Sequence, residues 1–400
     1  MSPVLALDPL LNGSVSWSVF AVVLIKVVVA FVILLVAVML YIWAMRKVIA
    51  DMQNRIGPNR AGPYGVLQTL ADGIKLFFKE QSTPTSADPP IFRLAPYLAI
   101  IPAFLAFAIV PIGGLVEVDG HQTYLQLADP GIGVLWLLMM SGIGLYGVML
   151  AGWASGSKYP LLGSVRASAQ MVSYEAALGM SVAAVLLISG SLSTHDIVAK
   201  QDWFGSWNLV ATVFVPFAIF VIAATAELNR PPFDLVEAEQ ELVGGFNTEY
   251  SSIRFALFFL SEFMNTVTMS AIIVTLFLGG PQPPFKFLAD IPGPRWLYGI
   301  VWFFLKLYVF LYMYVWFRAT LPRFRYDQLM DLGWKLLIPA SLGWLLLLIV
   351  VRVTQNAGWE RPARVAAAAG SVAVMGVFYL LLSAAIRVAA RNRAREGTMF

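Results

Sequence analysis

Nine stretches of the chain are apolar for about the 20 residues that a helix needs to cross about 30 Å of hydrocarbon. They lie near 20–44, 94–116, 132–153, 169–190, 209–226, 251–279, 295–317, 335–351 and 365–386. The sixth is the longest and is expected to tilt or break. The fold class this pattern predicts is an all-α polytopic membrane protein with about nine transmembrane helices. One segment follows a different rule. In VLQTLADGIKLFFKE, residues 66–80, apolar Val66, Leu67, Leu70, Ile74, Phe77 and Phe78 recur at helical spacing, while Gln68, Asp72, Lys75 and Lys79 fall on other faces. It is too polar to span, and predicts an amphipathic helix lying at the membrane surface. Just before it, RIGPNRAGPYG interleaves Gly57, Gly62 and Gly65 with Pro58 and Pro63, the pattern of consecutive fixed turns.

Composition supports the same class. At 59% hydrophobic, 12% charged and a mean hydropathy of +0.76, the chain lies outside the range of soluble globular proteins. No connection exceeds about fifty residues, so residues 1–400 read as a single integral membrane domain. No basic region precedes the first apolar stretch and no small-residue cleavage site follows it, so that stretch is expected to be a retained span. The chain has no cysteine, which excludes disulfides, thiol chemistry and iron–sulfur ligation by its own residues. Its two histidines, His121 and His195, fall in short connections, which excludes a bis-histidine haem within the membrane. Redox centres are therefore expected on a partner.

The 27 Lys and Arg are unevenly spread. Nineteen occupy the connections near 46–93, 158–166, 230–254 and 318–335 and the tail from 387, whereas six occupy the alternate connections. That asymmetry predicts a cytoplasmic first set in a cell membrane, with the amino terminus outside and the carboxyl terminus inside. Glu117, Asp119, Asp129, Asp196 and Asp202, in the opposite connections, are expected to be solvated.

The candidate chemistry is concentrated in ELNRPPFDLVEAEQELVGGFNTEY, residues 227–250. Six carboxylates, Glu227, Asp234, Glu237, Glu239, Glu241 and Glu249, face only Arg230 as an opposite charge. Holding so many like charges together costs free energy unless some bind protons, so the loop is expected to titrate. Pro231 and Pro232 should stop the preceding helix. Asp234 is expected to cap a short new helix with Glu237 as its capping-box partner. Glu237 and Glu241 would then share a face, Glu239 would project from nearly the opposite side, and Gly244 and Gly245 would end the helix. A merely solvated acidic loop is the plainer alternative, but Glu227 and Glu249 abut apolar segments where a charge is expensive.

Two further acids, Glu175 and Glu262, sit inside the fourth and sixth apolar stretches. Each costs about 2.5–3.5 kcal/mol at a membrane centre, so each should face protein or water. Lys306, midway along the seventh stretch, offers a counter-charge and a purely structural ion pair. The functional alternative is a proton relay, because a carboxylic acid in low dielectric can exchange protons near neutral pH.

Four stretches carry a family resemblance: MQNRIGPNRAGPYGVLQTLADGIKLFFKE from Met52, GWASGSKYPLLGSVRASAQMVSYE from Gly152, AELNRPPFDLVEAEQELVGGFNTEYSS from Ala226, and LPRFRYDQLMDLGWK from Leu321. Each is too long for chance agreement. Over roughly 20–350 the chain resembles the family of quinone-chamber membrane subunits of proton-pumping NADH:quinone oxidoreductase, respiratory complex I. Residues 365–400 add a further span and a basic tail. The resemblance implies a subunit that forms most of a narrow quinone chamber entered from the bilayer and that is not catalytic alone. FMN and iron–sulfur clusters would lie on partner subunits, and soluble quinone-site subunits and small membrane subunits would be its neighbours. The second to sixth spans would form a tilted bundle like half of a cation/proton antiporter.

Carried over by position, Arg46, Asp72, Phe259 and Arg318 correspond to chamber-lining residues. Glu175, Glu227, Asp234, Glu237, Glu239, Glu241, Glu249 and Glu262 correspond to the family's proton-transfer carboxylates. Arg230 would hold the acidic loop electrostatically. Where the family commonly has Glu-Arg-Lys or Glu-Arg-Arg, this chain has Met45, Arg46 and Lys47, which removes the usual acidic neighbour of Arg46 and leaves Asp51 as a substitute. Within the same class, the homologous component of a membrane-bound hydrogenase or of another donor:quinone oxidoreductase shares the acidic-loop pattern. A free-standing ion or proton transporter is the rival from another class, and it predicts ion flux from the isolated chain.

Overall fold

A computed structural model describes residues 8, 10, 16–118, 121–236, 239–288 and 294–396. Among them, eight helices are long and apolar enough to span a membrane. Helix α1, Trp17–Met52, opens on Ser16, whose hydroxyl accepts from the Val19 amide at 3.3 Å. At about 1.5 Å per residue it outruns the hydrocarbon, so its last turns place Arg46 beyond the apolar stretch. Turns then lead to α2, Gln68–Phe78, the expected amphipathic helix. Gly65 is required in these turns, since its φ is +76° and a Cβ there would lie 2.3 Å from the Pro58 carbonyl oxygen.

Helix α3, Pro89–Phe107, stops short of the expected end. The apolar run continues to residue 116, but Pro111, Gly113 and Gly114 cannot sustain a helix. Its end becomes strand β1, Leu115–Val118, paired antiparallel with β2, His121–Tyr124, in the register Leu115↔Tyr124. Helices α4, Gly133–Ala154, and α5, Lys158–Ser189, follow. Helices α3 and α4 approach so closely that a Cβ on Gly147 would lie 2.7 Å from the Ala99 amide nitrogen.

The short helix α6, Thr194–Ala199, leads to the fifth expected span, which is broken. It comprises α7, Asn208–Ala211, and α8, Val215–Glu227, separated by Val213 and Phe214 at φ of 57° and 66°. Pro216 removes an amide donor from the first turn of α8, which makes this the place where the helix restarts. The 13 residues of α8 rise only about 20 Å, so Glu227 ends the helix inside the protein. Next come α9, Glu239–Leu242, and α10, Ser252–Phe277, which is continuous and the most buried of the long helices. Helix α11, Arg295–Thr320, is followed by α12, Tyr326–Asp331, which runs through a π-helical turn at Leu332–Leu337 into α13, Ile338–Asn356. Pro339 stands just after the π turn and accounts for the irregular hydrogen bonding there. Helix α14, Arg361–Glu396, packs chiefly on α13 and is largely exposed along its span, as a lipid-facing helix would be. The main core is one cluster drawn from α1, α3, α4, α5, α8, α10 and α11.

Two charge assignments are corrected. Among the acids of the alternate connections, Glu117 and Asp202 are exposed as expected, and Asp119 lies outside the described residues. Asp129 is instead half-buried, with the Ser193 hydroxyl 2.8 Å from each of its oxygens, and loss of hydration pushes its carboxyl above the usual range. Asp196 accepts from the Ser191 hydroxyl at 2.8 Å. Lys306 is not the counter-charge of a membrane carboxylate. Its ammonium donates to the carbonyls of Leu278, Gly280 and Gln282 at 2.6, 3.0 and 2.6 Å and lies 4.6 Å above the Trp207 ring. It closes the C-terminal end of α10, where orphaned carbonyls and the helix dipole favour a cation. Lys306→Met should therefore lower stability by about 3 kcal/mol, read as a fall in the unfolding midpoint.

Candidate functional site

Where the C-terminal ends of α1 and α11 meet α2 and the N-terminal half of α10, four expected chamber residues gather. Arg46 Nη1 pairs with Asp72 Oδ2 at 2.7 Å, and Gln68 Nε2 donates to Asp72 Oδ1 at 3.1 Å, so α2 is held to α1 through one carboxylate. Asp72, rather than Asp51, thus supplies the acid that the Met45 substitution removes. Met45 itself receives Arg318 Nη1 at its sulfur, 3.4 Å away. On α10, Phe255, Phe259 and Phe263 form a ladder with ring separations of 6.1 and 4.7 Å, and Tyr41 of α1 meets Phe263 edge-on at 5.8 Å. A groove of about 600 Å³ runs between α1 and α11 and is lined by Tyr41 and otherwise by side chains that are almost all apolar.

Behind Phe263 lies the charged centre. Arg230, only 2% exposed, places Nη2 3.2 Å from Glu262 Oε1 and 3.3 Å from the Thr266 hydroxyl, with its guanidinium 4.3 Å above the Phe263 ring. Arg230 thus reaches Glu262 on α10. A guanidinium this deeply buried is tolerated only when paired, and α10 supplies the partner. Glu227, also buried, accepts a hydrogen bond at Oε1 from the Ser141 hydroxyl of α4, while its Oε2 is buried without a partner. Glu227 and Glu262 line one cavity with Ser141, Asn229, Asn265 and Thr268. Its volume is about 80 Å³, room for about two or three waters at about 30 Å³ each. Glu175 reaches the same region from α5, its Oε1 3.6 Å from the position of a Cβ on Gly142 and within electrostatic range of Glu227.

The acidic loop is fastened at points outside its carboxylates. Gln170 of α5 donates to the Ala226 and Phe233 carbonyls at 2.7 and 3.0 Å and to Asn229 Oδ1 at 3.1 Å, which fixes the segment after Glu227. Phe233 packs between Tyr174 and Phe324, and Leu235 and Val236 are buried. Residues 234–236 are not helical, so no helix starts at Asp234 as expected. Asp234 instead meets Arg323 at 3.0 Å, and among the described residues the helix comprises Glu239–Leu242. Glu241 meets Arg166 at 2.7 Å. Helix α9 ends at Leu242 because Val243 turns left-handed at φ 64°, one residue before the expected glycines. Glu249 is half-buried, whereas Glu237 lies outside the described residues, as does the side chain of Glu239.

Four side chains that position the site were not anticipated. Arg166 and Arg323 lie within the distinctive stretches and carry the charge the loop needs, so charge complementarity could have found them. Gln170 and Ser141 have no such signal, because a polar residue on an apolar helix does not announce its partner.

Comparison with known proteins places this geometry in a family. The NADH dehydrogenase family model matches residues 25–349, which leaves α14 outside. The H subunit of the NADH-quinone oxidoreductase of Frankia casuarinae is 52% identical over 342 residues, 84% of this chain and 74% of that protein. The protein of the same description from Frankia alni is 50% identical over 367 residues, 90% of this chain and 80% of its own length. With a match over most of its length, and with relatives at half identity that it largely covers, the chain belongs to the NADH dehydrogenase family.

Proposed function

We propose that this chain is a membrane subunit of a proton-translocating NADH:quinone oxidoreductase that lines the quinone's path and couples its reduction to carboxylate protonation. It is not catalytic alone. The observation that carries the reading is the cavity joining Glu227 to Glu262, set behind the Arg46–Asp72 pair and the Phe255–Phe259–Phe263 ladder. Arg46, Asp72, Phe259 and Arg318 line the chamber mouth, where α1, α2 and α10 converge.

Reduction of the quinone draws protons or leaves negative charge in the chamber. Two unit charges about 6 Å apart interact by about 3 kcal/mol at an effective dielectric of about 20, enough to redistribute protons among neighbouring carboxylates. Tyr41 lies in the field of Arg230, Arg318 and Glu262, so charge at the mouth is felt at the Arg230–Glu262 pair. From there protonation changes pass to Glu227 and Glu175. Asp234, Glu237, Glu239, Glu241 and Glu249 exchange protons with the cytoplasmic side, and Arg166 and Arg323 hold the loop in place.

FMN and the iron–sulfur clusters belong to partner subunits, and this chain has no thiolate of its own to bind a cluster. Those partners are the soluble quinone-site subunits, with small membrane subunits alongside. The chain lies in the bacterial cytoplasmic membrane with its amino terminus outside, and its acidic loop and carboxyl terminus inside. Asp72→Asn should impair turnover with long-tailed quinone several-fold more than turnover with artificial acceptors that bypass the chamber, because it removes the acid that fixes Arg46. Equal loss with both acceptors would indicate misassembly and count against the chamber assignment.

A further inference from the structure

Helix α2 has little packing to hold it. None of its residues is buried, and Leu70, Ile74, Phe77 and Phe78 are exposed. A helix with so few buried apolar contacts belongs to the low-stability end of a protein, so its place depends on a handful of polar bonds. Midway along it, the Arg46–Asp72 pair ties it to α1, where the Thr69 hydroxyl also lies 3.4 Å from the Met39 carbonyl oxygen. Its C-terminal end is held by α10 instead.

The last turn of any helix leaves carbonyls without a partner in the helix itself. In α2 those carbonyls face Ser252, whose buried hydroxyl lies 3.0 Å from the Leu76 oxygen and 2.7 Å from the oxygen of Lys79, the residue that ends the helix. Its neighbours hold the chain that follows. The Ser82 amide donates to the Ser251 hydroxyl at 2.9 Å, and Arg254 Nη1 donates to the Thr83 hydroxyl at 3.0 Å. Ser252 does this from a left-handed backbone, at φ 59°. That conformation costs free energy for a residue with a Cβ and persists only where the surroundings fix it. The hydroxyl is what serine offers there in return. Three residues on, Phe255 opens the aromatic ladder, so one turn of α10 carries both the hold on α2 and the first ring of the ladder.

We propose that Ser252 is a positioning residue for the quinone: by capping the last turn of α2 from α10, it sets the helix that carries Asp72 against the Phe255–Phe259–Phe263 ladder. Loss of the cap lets the end of α2 move away from α10 while the Arg46–Asp72 pair stays in place. The quinone then meets a looser mouth and binds more weakly, with its reduction little changed. This inference rests on the reading of α1, α2 and α10 as the mouth of the chamber.

The test uses the whole complex reconstituted in liposomes, with Ser252→Gly, Ser252→Ala and Asp72→Asn compared. Glycine removes the hydroxyl and relieves the left-handed backbone, so its unfolding midpoint should stay at the wild-type value, whereas alanine removes the hydroxyl and keeps the Cβ. Both Ser252 variants should raise KM for long-tailed quinone by about two- to tenfold, as expected for one lost hydrogen bond, with kcat within about twofold of wild type. Electron transfer to artificial acceptors should be normal in both, and the amides at the end of α2 should exchange with deuterium faster. A wild-type KM in the glycine variant beside a raised one in the alanine variant would trace the effect to the backbone and overturn the proposal. Faster exchange in α2 with a wild-type KM would overturn it too, as would equal loss with quinone and artificial acceptors. A wild-type KM in both Ser252 variants beside an impaired Asp72→Asn would overturn the cap and leave the chamber reading intact, while three normal variants would overturn both.

Discussion

Glu227→Gln is expected to lower quinone turnover and the proton translocation coupled to it by about a hundredfold, the lower end of what a positioned proton-transfer group contributes. Glutamine keeps the shape of the side chain, and its carbonyl oxygen can still accept from Ser141. It cannot take up or release a proton. Assembly should therefore survive, as read from electron transfer to artificial acceptors. Glu241→Gln makes a useful contrast, because its side chain is 57% exposed and pairs with Arg166 at the surface. Its stability cost should stay below about 1 kcal/mol, so any loss of coupled turnover there reports on the loop's proton exchange and not on folding. Wild-type turnover and pumping in both variants would contradict the carboxylate pathway.

Arg230→Met should destabilise the protein by about 3–5 kcal/mol, the range for removing one partner of a buried ion pair. It leaves Glu262 without its cation and removes the guanidinium from the Phe263 ring. Adding Glu262→Gln should recover more than half of the loss, because the remaining charge is then neutralised. Unfolding midpoints of the purified complex in detergent would measure both. Strictly additive losses in the double variant would show that Arg230 and Glu262 do not act as a pair.

The sequence makes the helices legible wherever the apolar run and the helix share boundaries. It fails where chain-breaking residues lie inside an apolar run. Pro111 with Gly113 and Gly114 ends the second span early, and the left-handed Val213 and Phe214 divide the fifth. Hydropathy registers neither, because both stretches remain apolar. Expectations about charge fail for a related reason. Counting signs could pair Lys306 with a carboxylate, but it could not show that Lys306 faces the open end of α10 or that Glu262 lies beside Arg230. The acids at Glu227 and Glu262 could be picked out because a carboxyl in an apolar stretch is costly. Their shared cavity depends on α8 stopping short, on α4 bringing Ser141 across, and on α10 presenting Thr268, relations that no local pattern encodes.

The central claim is that Glu227 changes protonation when the quinone is reduced. Infrared difference spectra of the intact complex, taken across quinone reduction, test it most directly through the carboxylic C=O stretch. The wild-type complex should show a band that shifts with isotopically labelled glutamate and is lost in Glu227→Gln. An identical difference spectrum in the wild type and the variant would contradict the account.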